Sequence, residues 1–125
     1  MNWNNIRFFS RKELACKCGN CDGKEQMQEA FMIQLDRLRE RLDCPLTITS
    51  GYRCPLHPEE AKKDHSGAHA NGTAADIAVS GGKERYEVIS VAMELGLVGI
   101  GCANSFVHID SQHPYAARPA FWKYS

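Results

Sequence analysis

Two histidines and one aspartate in this chain have the types and positions of a metal-binding site. His69 and Asp76 flank the turn-forming pair Asn71-Gly72, and His108 follows in an apolar, strand-like stretch. Two imidazoles and one carboxylate leave the fourth position of a tetrahedral zinc ion open for water. The set therefore predicts a hydrolase that uses zinc.

Arg53 and Asp76 can each be interpreted as a residue of the functional site or as a residue with a purely structural role. Arg53 follows a predicted strand and a glycine, a position from which a cation can reach a ligand, although a surface arginine has the same signature. Asp76 lies among alanines and an isoleucine, where an unpaired carboxylate would be costly to bury. A metal ion is its natural partner, and an arginine or a backbone turn is the alternative.

The hydrophobic periodicity predicts the elements that must position these residues. Apolar residues at helical spacing predict two helices, over residues 24–42 and 83–95. Alternating or glycine-flanked apolar residues predict four strands, over residues 46–50, 73–79, 98–101 and 105–110. In the last strand, a period of two puts Phe106, His108 and Asp110 on one face. The tail, residues 111–125, reads as a loop that packs back on the core.

Size and charge limit the possible partners. The length of 125 residues suits one compact domain, so residues 1–125 are expected to fold as a single unit. The 15 basic and 15 acidic side chains cancel, which removes the electrostatic argument for nucleic acid or an anionic membrane. The sequence has neither an apolar run of membrane-spanning length nor the pattern of a secretory signal. We therefore expect no nucleic-acid partner, no membrane partner, and synthesis in the cytoplasm.

The six cysteines allow two interpretations. Three of them form a C-x-C-x-x-C cluster in a glycine-containing loop, which is half of a metal knuckle. A structural zinc site needs a fourth ligand and usually a second C-x-x-C pair, and the sequence contains no such pair. We therefore expect disulfides or buried thiols that tie the N-terminal loop to the core. The cysteines are Cys16, Cys18, Cys21, Cys44, Cys54 and Cys102.

Three motifs in this order resemble the M15 zinc peptidases: Thr49-Ser50-Gly51-Tyr52-Arg53, His69-x-x-Gly72-x-Ala74-x-Asp76 and Phe106-Val107-His108-Ile109-Asp110. That family includes D-alanyl-D-alanine carboxypeptidases and phage endolysins that cut L-alanyl-D-glutamate bonds. The chain is most similar to its short single-domain branch, whose opening segment, Phe-Ser-x-x-Glu-Leu-x-Cys-x-Cys-Gly, is matched by residues 9–19.

The resemblance implies a fold, a ligand set and an activity. The fold would be a small α+β domain, an antiparallel sheet with flanking helices, shared in outline with the hedgehog signalling domain. Zinc would be bound by His69, Asp76 and His108. Arg53 would stabilise the oxyanion or contact the substrate, and Ser66 would help to hold the substrate. The implied reaction is hydrolysis of peptidoglycan stem peptides, as a D,D-carboxypeptidase or an L,D-endopeptidase. A non-catalytic zinc- or wall-binding module of the same fold is the alternative.

One position departs from the family pattern. Several M15 enzymes have a catalytic Glu or Asp three residues before the last histidine ligand, where this chain has Ser105. Asp110 is the substitute candidate for the general base, and its alternative role is to orient His108. His65 and His113 are further candidates for moving the proton.

The resemblance also implies where the protein acts. A chain made in the cytoplasm without an export signal fits a phage or prophage enzyme that reaches the cell wall after membrane damage. We expect it to act as a monomer on the peptide part of peptidoglycan.

Overall fold

The structure, a computed structural model, describes residues 1–62 and 67–124. Within them the chain forms a 3-10 turn at Trp3–Asn5, followed by helices and strands. The helices are α1 (Arg11–Leu14), α2 (Glu29–Leu42), α3 (Pro58–Ala61) and α4 (Gly82–Glu94). The strands are β1 (Ile48–Ser50), β2 (Ala74–Ala78), β3 (Gly99–Cys102), β4 (Phe106–Asp110) and β5 (Ala120–Lys123). Among the helices described, none is long and apolar enough to cross a membrane.

The strands form one open sheet in the order β1-β2-β4-β3-β5. Its first four strands pair antiparallel, and β5 pairs parallel to β3. The predicted α+β fold, an antiparallel sheet with flanking helices, is therefore confirmed. The prediction of a loop throughout the tail was wrong at 120–123. There the chain returns to the sheet edge, and the backbone of β3 supplies its hydrogen bonds.

Helix α2 buries its apolar stripe, as the periodicity predicted. Phe31, Leu35 and Leu38 are fully buried in the core, and each contributes about 2–3 kcal/mol to folding by its removal from water. The helix begins at Glu29, later than predicted. The preceding segment is held in place by non-helical bonds, since the Gln28 amide donates to the Gly72 carbonyl at 2.9 Å.

The central strands β2 and β4 separate the core from the site. Ile77, Val107 and Ile109 enter the hydrophobic core on one face of the sheet. Because side chains alternate along a strand, Asp76 and His108 project from the opposite face. These two residues are direct cross-strand partners in the antiparallel register. The pairing of β2 with β4 thus brings two of the predicted ligands together.

Candidate metal centre

The three predicted ligands, His69, Asp76 and His108, meet at one point on the face of the sheet opposite the hydrophobic core. Nε2 of His69, Oδ1 of Asp76 and Nδ1 of His108 lie between 3.1 and 3.2 Å from one another. All three residues are buried, and all three line one open cavity. Asp76 and His108 come from paired strands, whereas His69 comes from the turn that precedes β2.

A backbone carbonyl fixes the ring of His69. Nδ1 of His69 lies 2.8 Å from the carbonyl oxygen of Gly51, and since a carbonyl only accepts, Nδ1 must donate its hydrogen. In the neutral ring, Nε2 then carries a lone pair that faces the other two ligands. Gly51 is held tightly against the N-terminal segment, because a Cβ there would lie 2.6 Å from the Leu14 carbonyl oxygen.

A carboxylate fixes the ring of His108. Nε2 of His108 lies 2.7 Å from Oδ2 of Asp110, so Nε2 donates and the neutral ring turns its Nδ1 lone pair toward His69 and Asp76. Asp110 is fully buried and also accepts two hydrogen bonds from Arg118, each 2.8 Å long. The oxygens of Asp110 are therefore committed to His108 and Arg118, and the geometry favours the orienting role over that of a general base.

Electrostatic coupling keeps the two carboxylates ionised. Burial alone would raise the pKa of Asp76, but hydrogen bonds with His108 and His69 outweigh burial and hold that pKa below its usual value. Asp110 shows the same balance: burial would raise its pKa, and the hydrogen bonds from Arg118 and His108 lower it. Burial lowers the pKa of His69. The pKa of His108 is raised, because its hydrogen bonds to Asp110 and Asp76 outweigh the opposing effect of burial.

The donor atoms fit a zinc ion. Ligand atoms about 2.0–2.1 Å from a tetrahedral zinc lie about 3.3 Å from one another, close to the separations observed here. With both rings neutral and their outer nitrogens donating, the three lone pairs point at one place and repel one another unless a proton or a metal ion lies between them. A cation resolves that repulsion. Two imidazoles and a carboxylate also form a known donor set of catalytic zinc sites, which keep an open position.

The open side of the centre is a cavity of about 740 Å³ with a cation at its edge. Arg53 lines this cavity, and its side chain is 16% exposed. The guanidinium is fixed by a hydrogen bond from Nε to the Ser50 hydroxyl at 3.1 Å and by a contact of 3.5 Å to Oδ2 of Asp76. Arg53 is therefore not an ordinary surface arginine: it pairs with Asp76, as the alternative for that carboxylate predicted, and it also lines the cavity.

Four other residues considered in the sequence analysis have different positions relative to the cavity or to the described part of the chain. Ser66 and His65 lie outside the described residues. Ser105 is exposed just before β4 and is not among the residues that line the cavity. His113 does line it, and Nδ1 of His113 accepts the Tyr115 amide at 2.9 Å.

Sequence reasoning missed three residues of the site. Arg118 clamps Asp110, and Trp122 packs on His108 with ring centroids 5.2 Å apart. Glu59, at the start of α3, also lines the cavity. The first two lie in the tail and the third in a polar loop, where no periodic pattern marks individual residues. The sequence marks Glu59 only by placing a carboxylate six residues after Arg53.

Comparison with known proteins identifies the family of the chain. A family model described as Peptidase M15 matches residues 7–110, which include all three motifs on which the resemblance was based. The resemblance drawn from the sequence is thereby confirmed. No match was found among curated proteins.

Proposed function

The chain belongs to the peptidase M15 family, and from that premise we propose that it is a zinc-dependent peptidase acting on the stem peptides of peptidoglycan. Family membership supports a peptidase and hence a hydrolase. The zinc and the substrate are our proposal. The observation that carries the proposal is the convergence of three lone-pair donors, from His69, Asp76 and His108, on the wall of an open cavity.

The chain's own residues hold the metal ligands rigidly. Gly51 fixes one imidazole through its carbonyl oxygen, and Asp110 fixes the other through its carboxylate. Such outer hydrogen bonds set the ring orientation and raise the basicity of the ligands. When bound there, zinc would lower the pKa of a water molecule and polarise the peptide carbonyl.

Arg53 is suited to binding negative charge on the substrate. Its guanidinium faces the cavity beside the ligand Asp76, and Ser50 restrains its orientation. A preorganised cation next to the reacting carbonyl stabilises the oxyanion that develops during hydrolysis. The same group can bind the carboxylate of a stem peptide, so Arg53 serves either cleavage mode.

The proton must be accepted by a residue other than Asp110, whose oxygens are already occupied. Glu59 lines the cavity, and its pKa is lowered by its hydrogen bond and ion pair with Lys62, so that it stays a carboxylate at neutral pH. His113 also lines the cavity, but its Nδ1 accepts an amide hydrogen, which leaves the ring proton on Nε2. We therefore assign the role of base to Glu59 and that of hydrogen-bond donor to His113.

The second candidate is a module of the same fold that binds zinc or the cell wall without catalysis. Ser105 in place of the family's acidic residue favours it, since that hydroxyl cannot act as a carboxylate base. This candidate predicts normal zinc binding and no released peptide.

Digestion of purified peptidoglycan by the zinc-loaded protein separates the two candidates. Mass analysis of the soluble products identifies the bond: loss of a terminal D-alanine indicates a carboxypeptidase, and fragments cut within the stem indicate an endopeptidase. Zinc bound at its normal level together with unchanged peptidoglycan would leave only the binding module.

A further inference from the structure

We propose that the chain binds a second, structural zinc ion through four cysteine thiolates, those of Cys16, Cys18, Cys21 and Cys54. The first three form the N-terminal C-x-C-x-x-C cluster, and the fourth follows Arg53 in the segment after β1. One sulfur atom from each lies within 4.8 Å of the other three. Sequence reasoning had found no fourth ligand for this cluster, and Cys54 fills that place. The inference does not depend on the peptidase proposal.

The sulfur separations match a metal site and not disulfides. Sγ of Cys18 lies 3.6 Å from Sγ of Cys21 and 3.6 Å from Sγ of Cys54. A disulfide would bring a pair to about 2.05 Å. Four thiolates about 2.3 Å from a tetrahedral zinc lie about 3.8 Å apart. All six cysteines of the chain are free thiols, so of the two alternatives expected from the sequence, disulfides or buried thiols, the structure shows thiols.

Backbone amides favour thiolates at two of the sulfur atoms, whereas the neighbouring cysteines raise the pKa of Cys18 to about 12, a repulsion that a bound zinc ion would remove. The Asn20 amide donates to Sγ of Cys18 at 3.3 Å, and the Cys54 amide donates to Sγ of Cys16 at 3.4 Å. Backbone N–H groups directed at sulfur stabilise its negative charge. Cys16 and Cys54 are buried and Cys18 and Cys21 are half-buried, which gives the closed, four-ligand environment of a structural zinc site.

The position of the cluster gives the second ion a role. The Cys16 amide donates to the Lys24 carbonyl at 2.7 Å and closes the cysteine loop, and the Tyr52 amide donates to the Leu14 carbonyl at 2.8 Å. The loop is thereby joined to residues 51–54, the segment that also supplies the Gly51 carbonyl and Arg53 to the site. A zinc ion bound by Cys54 would restrain one end of that segment. The structural ion would thereby help to hold Gly51 and Arg53 in position at the metal centre.

Metal counting on the intact protein tests this inference. The protein is purified under reducing conditions and its zinc content measured by native mass spectrometry; we expect about two zinc ions per chain. The His69→Ala/His108→Ala variant should keep one, and the Cys18→Ser/Cys21→Ser variant should keep only the histidine-bound ion. Cys44→Ser, at an exposed cysteine outside the cluster, is the matched control and should keep both.

Cobalt substitution identifies the ligands independently of the cysteine variant, which would fail to fold if the ion is essential. Cobalt bound in the histidine variant should show the strong sulfur-to-cobalt charge-transfer band of a thiolate site. Two results would overturn the inference: a histidine variant that binds neither zinc nor cobalt, or a native protein whose intact mass shows these cysteines oxidised to disulfides. Neither result would bear on peptidase activity, so the two proposals fail separately.

Discussion

Oδ2 of Asp110 lies 2.7 Å from Nε2 of His108, on the side of the ring opposite the atom that faces His69 and Asp76. Arg118 holds the same carboxylate with two hydrogen bonds of 2.8 Å. Arg118, Asp110 and His108 thus form a row of hydrogen bonds that orients a metal ligand and leaves Asp110 no free oxygen to accept a proton from the attacking water.

The main expected effect of Asp110→Asn is weaker zinc binding. The amide keeps the size of the side chain but loses the charge that fixes the His108 tautomer, and removal of such an outer partner costs roughly 10- to 100-fold in metal affinity. Competition with a chromogenic chelator measures the affinity. Asp43→Asn, at an exposed aspartate outside the site, is the control. Full zinc affinity combined with lost turnover would instead make Asp110 the base.

Gly99→Ala should disturb the same carboxylate from the neighbouring strand. Gly99 pairs with Asp110 across β3 and β4, and a Cβ at Gly99 would lie 2.0 Å from Oδ1 of Asp110. We expect a loss of about 1–3 kcal/mol in the free energy of unfolding, measured by urea titration, together with weaker zinc binding. Gly82→Ala, where the added methyl group meets open space, should leave both unchanged. Equal effects of the two variants would contradict the close approach.

Arg53→Ala should lower the rate of peptide cleavage far more than it lowers zinc content. Loss of one preorganised oxyanion donor costs about 10²- to 10³-fold in kcat. Cleavage kinetics and zinc content are measured on the same preparation, and exposed Arg37→Ala serves as the control. If turnover stays normal, Arg53 only neutralises Asp76.

Glu59→Gln tests the assignment of the base. We expect kcat to fall about 10²- to 10⁴-fold with zinc affinity unchanged, because the Glu59 side chain lines the cavity and pairs with Lys62. Glu87→Gln is a close control, since both glutamates form ion pairs with a nearby lysine at the surface. A fully active Glu59→Gln would move the role to another residue, and His113→Asn would be examined next.

The sequence predicted best what local patterns encode. The alternation in residues 105–110 placed His108 and Asp110 on one strand face, and the structure shows them in contact. The rule behind this prediction, the period of two along a strand, needs no knowledge of the rest of the chain.

Partners far apart in sequence could not be predicted this way. Arg118 and Trp122 lie in a tail without periodicity, which becomes part of the site only because β5 pairs with β3. Cys54 follows Cys21 by more than thirty residues, and it joins the cysteine cluster only because the segment after β1 folds against the N-terminal loop. Both contacts depend on the three-dimensional path of the chain, which spacing alone does not give.

The most direct test of the central claim is mass analysis of peptidoglycan fragments released by the zinc-loaded protein, beside the His69→Ala/His108→Ala variant. We predict that the native protein releases peptide or D-alanine from the stem. The variant should release none, although it keeps its fold by circular dichroism. Equal release by both proteins, or none by a native protein with zinc bound at the three ligands, would contradict the account.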